Sequence, residues 1–216
     1  MARSTKAAAQ ATRHRIIDAA EQVFQDRGVA HASLEEIAGA AGVTRGAIYW
    51  HFRDKAELFD AMMQRVTLPV EAMIDRAEGA GKADQLELLK RSATEVLLRM
   101  AREKHLQRVF DIAHHKCEYV GDAAALRARR VASQKECLRA IEAGFGACRA
   151  RGLLPRTVDP KVAAIGALSL VSGLIANWIL DPRSFSLERH ARSLVDIYFR
   201  GLEAAPARKP RRNPAR

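Results

Sequence analysis

Residues 33–52 read Ser33-Leu34-Glu35-Glu36-Ile37-Ala38-Gly39-Ala40-Ala41-Gly42-Val43-Thr44-Arg45-Gly46-Ala47-Ile48-Tyr49-Trp50-His51-Phe52, and the fold turns on how they are read. Ser33 followed three residues later by Glu36 is a capping-box pattern: the serine hydroxyl receives a backbone N–H and the glutamate reaches back. The short helix it opens ends near Ala41. Gly42 and Val43 form a tight turn, and Thr44 caps a second short helix whose apolar side is Ala47, Ile48 and Phe52. Two helices crossing this closely need small residues at the crossing, and Ala38, Ala41, Gly42 and Ala47 supply them. The pattern predicts a helix-turn-helix.

Outward from this stretch the apolar spacing stays helical. Upstream, Ile16, Ile17, Ala20, Val23 and Phe24 share one face and stop at Gly28. Downstream, Asp54-Lys55-Ala56-Glu57 opens a fourth helix expected to run to about Glu78, with a kink at Pro69, before Gly79-Ala80-Gly81 breaks the pattern. Leu86 to Met100, Leu106 to Ala113 and Leu126 to Phe145 each recur at helical spacing, the last ending at Gly152. Asp159-Pro160 opens a further helix that Asp181-Pro182 closes, and Ser186 caps a final one containing Leu187, Ala191, Val195 and Leu202. No alternating strand pattern occurs, and much of the apolar content is Ala, a poor strand residue. The expectation is an all-α protein with a three-helix head over 1–58, a helical domain over 59–205, and a disordered basic tail over 206–216.

The chain has 216 residues and a net charge of +11, but the charge is unevenly placed. Residues 1–15 hold Arg3, Lys6, Arg13 and Arg15 without an acid, and residues 206–216 hold Arg208, Lys209, Arg211, Arg212 and Arg216. The body between them carries only +2, and basic and acidic residues nearly balance over 1–60. Basic ends on a near-neutral body suit polyanion contact better than a membrane-binding basic face. The first eight residues, expected to precede the first helix as an arm, would reach phosphates or a minor groove.

Three cysteines and a basic N-terminus lacking a hydrophobic signal region suit a reducing, cytoplasmic setting. Cys137 and Cys148 lie about 16 Å apart along one helix, too far to bridge. The uncharged run Val162–Leu180 covers 19 residues, and a membrane span is one reading of it. Its glycines, serines and Asn177 make insertion marginal, so burial on all sides, in a core and a subunit contact together, is the preferred reading.

The second short helix would enter a DNA major groove by its N-terminal half. Arg45, the long cation there, suits a guanine edge; Thr44 suits a base edge or phosphate, and Gly46 allows close backbone approach. Ser33, Tyr49, His51 and Lys55 have the chemistry to hold phosphates, which positions a protein on DNA without specifying sequence.

The run Val43-Thr44-Arg45-Gly46-Ala47-Ile48-Tyr49-Trp50-His51-Phe52 with Lys55-Ala56-Glu57-Leu58 closely resembles the signature of the TetR/AcrR family of transcriptional repressors. The likeness extends through Thr12-Arg13, Ile16-Ile17, Ala19-Ala20, Phe24, Gly28 and Ile37-Ala38. It implies that Ser33, Thr44, Arg45, Gly46, Tyr49, Trp50, His51 and Lys55 meet a double-stranded operator. Residues His114-His115-Lys116-Cys117-Glu118, Gly173-Leu174-Ile175 and Trp178 to Asp181-Pro182 resemble the drug-efflux regulators of that family. That likeness implies a homodimer joined by the last two helices, controlling an efflux operon from a pseudo-palindromic site. It also implies a pocket for a hydrophobic or aromatic inducer involving Phe110, His114, Ile141, Val171, Ser172, Ile175 and Trp178.

Other readings keep their place beside it. Phe110 and Ile141 are core residues by spacing alone, and His114 reads equally as a core histidine. His114, Cys117 and Glu118, if helical, stand at i, i+3 and i+4 and would offer a metal three ligands. No nucleophile elbow, phosphate loop or cofactor fingerprint is present, so neither an enzyme nor a cofactor is expected. A nonspecific nucleic-acid packager would bind through the tails with a steep salt slope and no dependence on Arg45.

Overall fold

A computed structural model of the chain describes residues 2–66, 85–117 and 124–204. Among them every regular element is a helix: α1 (Ala2–Arg27), α2 (Leu34–Ala40), α3 (Arg45–His51), α4 (Lys55–Val66), α5 (Gln85–Arg102), α6 (Lys104–His115), α7 (Ala124–Ala150), α8 (Pro160–Leu180) and α9 (Leu187–Glu203). The all-α expectation holds. Pro69, Gly79–Gly81, Glu118 and the 206–216 tail lie outside the described residues. The N-terminal segment is not an arm ahead of the first helix but the first turns of α1. Ala7, Ala8, Ala9 and Ala11 are strong helix formers, and a run of them extends a helix that is already anchored downstream.

The chain packs as two compact units. The first holds α1–α4, α6 and the start of α7. Its core contains Ile16, Ile17, Ala20 and Phe24 of α1, Ile37 of α2, Ile48 of α3, Leu58 and Met62 of α4, and Leu106, Val109 and Ile112 of α6, all buried. This grouping reaches beyond the expected boundary at residue 58, because one turn of α4 does not roof three helices by itself. The remainder comes from α6, which is fastened to α1 by polar contacts as well as by packing. Buried Glu21 pairs with His105 at 2.8 Å and Arg108 at 3.2 Å, and Gln25 Nε2 donates to Asp111 at 2.9 Å. Val29 N–H donates to the Lys116 carbonyl at 2.8 Å. Gly28 makes that last contact possible: its φ is +79°, and a Cβ there would stand 3.3 Å from the same carbonyl.

The second unit holds α5, the rest of α7, α8 and α9. Leu97, Met100, Phe145, Cys148, Ala164, Ala191 and Val195 are buried in it, and the Phe145 and Phe199 rings meet at 5.8 Å. Burial pushes the Cys148 thiol up to about 11, so it stays protonated and behaves as a small apolar side chain. Cys117 and Cys148 are buried, Cys137 is half-buried, and none forms a disulfide.

Helix α8 is capped by Asp159, whose carboxylate accepts from Lys161 N–H at 2.8 Å, and has Pro160 in its first turn, as the sequence predicts. It is long and apolar enough to cross a membrane by length and composition. Burial on all sides, however, is not what a single chain provides. Ala163, Ala164, Ala167, Ile175 and Trp178 are covered, whereas Val162, Ile165 and Leu180 are 65%, 45% and 72% exposed, and Asn177 is also exposed. Against α9 the packing is close: the Tyr198 hydroxyl donates to the Ala163 carbonyl at 2.6 Å, and Gly166 leaves the room the ring occupies. A Cβ at 166 would lie 2.5 Å from that hydroxyl and 3.0 Å from the ring.

Gly166→Ala is therefore expected to destabilise the chain by about 1–2 kcal/mol in urea unfolding, the overpacking cost exceeding the ~1 kcal/mol gain in helix propensity. With Tyr198→Phe, which removes the closest clashing atom, the double substitution should cost less than the sum of the singles.

Candidate nucleic-acid interface

Helices α2 and α3 have seven residues each, below the length at which a helix holds itself together in water. Both are made by caps and burial. The capping box forms: Glu36 N–H donates to Ser33 Oγ at 3.1 Å and Ser33 N–H to Glu36 Oε2 at 3.0 Å. The hydrogen bonds from Ser33 hold the Glu36 carboxyl below its usual range. Gly42 takes the turn at φ +63°, and Thr44 Oγ1 accepts from Ala47 N–H at 3.2 Å to start α3. Ile48 is fully buried, and Phe52, the residue that ends α3, is 1% exposed.

What α3 buries fixes what it presents. Thr44, Arg45, Gly46, Tyr49 and Trp50 are all exposed, Trp50 at 73%. A Cβ on Gly46 would meet nothing nearer than Thr44 Oγ1 at 4.0 Å, so packing within the chain gives no reason for glycine there. The Arg45 guanidinium lies 3.0 Å from Glu35 of α2 and 5.9 Å from the centre of the Tyr49 ring. Arg53, just past α3, lies 3.0 Å from Glu57. The head's near-neutrality is thus local: acids of α2 and α4 stand beside the arginines that flank the exposed face.

His51 is half-buried, edge-on to Trp50 at 4.5 Å. Burial, and secondarily the charge of Arg13, lower its pKa, so at neutral pH it presents a neutral imidazole. Lys55 is directed inward in part: its ammonium donates to the carbonyls of Ala30 and Ala32, each at 2.9 Å, tying the start of α4 to the loop before α2. Sequence spacing gave no sign of that tie, since the partners are backbone atoms 23 and 25 residues away. It also gave none for Arg13, whose guanidinium covers the Phe52 ring at 4.9 Å.

The residues expected to line an inducer pocket fall in both units. In the first, Phe110 and His114 stack at 5.8 Å, and His114 Nδ1–H donates to the Phe110 carbonyl at 2.9 Å. His114 is half-buried and its pKa is lowered, chiefly by desolvation, which keeps it neutral. In the second, Ile175 and Trp178 are buried, Ile141 and Val171 half-buried, and Ser172 exposed. An open cavity of about 720 Å³ in that unit is lined by none of these but mostly by charged and hydroxyl side chains, including the pairs Glu87 with Arg91 and Lys90 with Asp196. The helical i, i+3, i+4 face suggested for a metal does not form, because α6 ends at His115 and Cys117 lies beyond it.

Two family models match: residues 16–62 fit the bacterial regulatory proteins of the tetR family, and residues 84–204 fit the C-terminal region of MAATS-type transcriptional repressors. The chain is 36% identical over 207 residues to the HTH-type transcriptional regulator TtgR of Pseudomonas putida, covering 96% of this chain and 99% of that one. It is similar to the crystal structure of NalD, the secondary repressor of the MexAB-OprM multidrug efflux pump in Pseudomonas aeruginosa. There the TM-score is 0.81 and identity 34%, over 91% of this chain and 98% of that one. It is also similar to a SmeT–triclosan complex at a TM-score of 0.80 and 28% identity, over 95% and 100% of the two chains. SmeT is the repressor of the SmeDEF multidrug efflux pump of Stenotrophomonas maltophilia.

The lowered pKa of His114 carries a stability consequence. Its folded value lies below the ordinary 6.5, so in the interval between the two the unfolded chain binds more protons. Stability should fall as pH drops through and below about 6.5. Urea unfolding between pH 7.5 and 5 should show a shallower decline for His114→Phe than for the unaltered protein.

Proposed function

The chain belongs to the tetR family of bacterial regulatory proteins, and we propose that it is a ligand-responsive, homodimeric repressor of a multidrug efflux operon, released from its operator by hydrophobic or aromatic compounds. The observation that carries this reading is the exposed face of α3 above its buried anchors Ile48 and Phe52, together with full-length likeness to TtgR and NalD.

In this reading α3 enters the major groove. Arg45 leaves Glu35, an exposed pair whose loss costs little, and takes both acceptors of a guanine. Thr44 and the open backbone at Gly46 come close to the DNA, while Ser33, Tyr49, Trp50, His51 and Lys55 meet the phosphates. Lys55 does so while holding the 30–32 loop, so it contributes position as well as charge. The two heads of a dimer occupy successive major grooves, about 34–36 Å apart on a pseudo-palindromic site.

The exposed apolar side chains of the last two helices, Val162, Ile165 and Leu180 on α8 and Ile197 at 69% exposure on α9, support a dimer contact there. A second copy would cover α8 as a cytoplasmic protein requires, without a membrane. A small-molecule inducer is supported by the relative SmeT, whose structure is a complex with triclosan. The family likeness offers Phe110 and His114 in the first unit and Ile141, Val171, Ser172, Ile175 and Trp178 in the second as residues to test for inducer contact. A neutral His114 with Nδ1 already bonded leaves Nε2 as an acceptor for a phenolic ligand. Coupling is reciprocal: operator DNA must weaken inducer binding by the factor with which inducer weakens operator binding.

Arg45→Ala should cost about 1–3 kcal/mol on the specific site and relax discrimination at one base pair. Gly46→Ala should leave thermal stability equal or slightly higher, since Ala is the better helix former, yet weaken operator binding. Unchanged affinity for Gly46→Ala in a fluorescence-anisotropy titration would remove the close approach from the mechanism. Ile197→Glu should shift sedimentation toward the monomer and weaken operator binding about 100-fold or more by losing bivalence.

A further inference from the structure

The Phe52 ring ends α3 inside the core, yet it has a cation over it. The Arg13 guanidinium of α1 stands 4.9 Å from the ring centre, and the His51 ring centre lies 6.3 Å from the same ring. Arg13 and His51 thus border the same ring from two segments 38 positions apart in the chain, near enough for the charge of Arg13 to be felt at the imidazole. Arg45 and Arg53, the arginines at either end of α3, each have a glutamate at 3.0 Å, whereas Arg13 has no carboxylate partner among the described residues. The groups facing His51 are Arg13 from α1 and the Trp50 and Phe52 rings from its own segment, and none of them is an acid.

A half-buried arginine beside a histidine, with no anion of their own, is an arrangement completed by an anion from outside. We propose that Arg13 and His51 together grip one phosphate of the DNA backbone, so that α1 as well as α3 is fastened to the operator. The guanidinium presents donors in a fixed fork that matches phosphate oxygens, and the flat Phe52 ring beneath it limits where that fork points. The imidazole adds one further donor. The state of His51 fits this arrangement: burial first, and the Arg13 charge second, disfavour a proton on the imidazole in the free protein, and a bound phosphate anion opposes both by favouring the charged form. Binding would then take up a proton as pH falls. The inference rests on the operator-binding reading and adds to it a contact from outside the helix-turn-helix, made by two residues acting as one site.

The test uses the full chain and a duplex that the protein selects for itself from a random-sequence pool. If nothing is selected, the operator-binding reading fails, and this proposal with it. If a duplex is selected, its dissociation constant is measured over a range of salt and from pH 6 to 8 for the unaltered protein, Arg13→Gln, Arg13→Lys, His51→Gln and the Arg13→Gln/His51→Gln double. Arg13→Gln should weaken binding roughly 10-fold and lower the salt slope by about 0.9, the value for one phosphate, while Arg13→Lys keeps the slope. The double should be weakened by less than the product of the singles. Tightening of the unaltered protein toward pH 6 should disappear in His51→Gln. An arginine that only covers Phe52 would give Arg13→Gln a lower melting temperature and an unchanged salt slope, and that result would overturn the proposal. Strictly multiplicative singles would overturn the shared phosphate.

Discussion

The burial of Ile48 and Phe52 beneath a seven-residue helix is the constraint on which the reading head depends. A helix of that length nucleates poorly and cannot persist in water by its own hydrogen bonds. It exists because two apolar side chains, 0% and 1% exposed, are driven out of water, and because Thr44 satisfies one of its unpaired N–H groups. Once those two side chains point inward, the helical period leaves Arg45, Tyr49 and Trp50 no direction but outward. The four other helices around them exist largely to hold that floor: α2 packs on α1 and α3, and α4 and α6 pack on α1.

Electrostatics refine this arrangement rather than create it. A net charge of +11 invites the picture of a basic surface drawn to DNA. In the head, however, arginines stand beside glutamates: Arg27 near Glu36, Arg45 near Glu35, Arg53 near Glu57. Exposed pairs of this kind are worth little and exchange readily, so such a surface reads DNA by a few placed donors and not by bulk attraction. The polar ties between α1 and α6 differ in kind, because Glu21 is buried and its partners hold it there. They join the head to a helix from the second half of the chain, which is why the compact unit does not end where the helix-turn-helix pattern ends.

Much of the fold and part of the site were legible in the residues. Capping patterns at Ser33, Thr44, Asp159 and Ser186 are local chemistry, acting over two or three residues, and each one forms as read. The exposure of Arg45 and Trp50 follows from helical spacing. By contrast, the inward hold of Lys55 on Ala30 and Ala32, the cover of Arg13 over Phe52, and the Gly166–Tyr198 fit between α8 and α9 are long-range contacts. No spacing announces them, because each joins segments whose separation in sequence is unrelated to their separation in space. Helix α8 errs in the other direction: its unbroken apolar composition suggests complete burial, and a single chain covers only one part of it.

By itself, then, the sequence determined where the helices start and stop and which side of α3 is apolar, since caps and helical spacing act within about one helical turn. The tertiary structure decided which cations remain available, where the head ends, and how much of α8 stays uncovered. Those depend on which distant side chains share a neighbourhood, and that is settled only when the core closes.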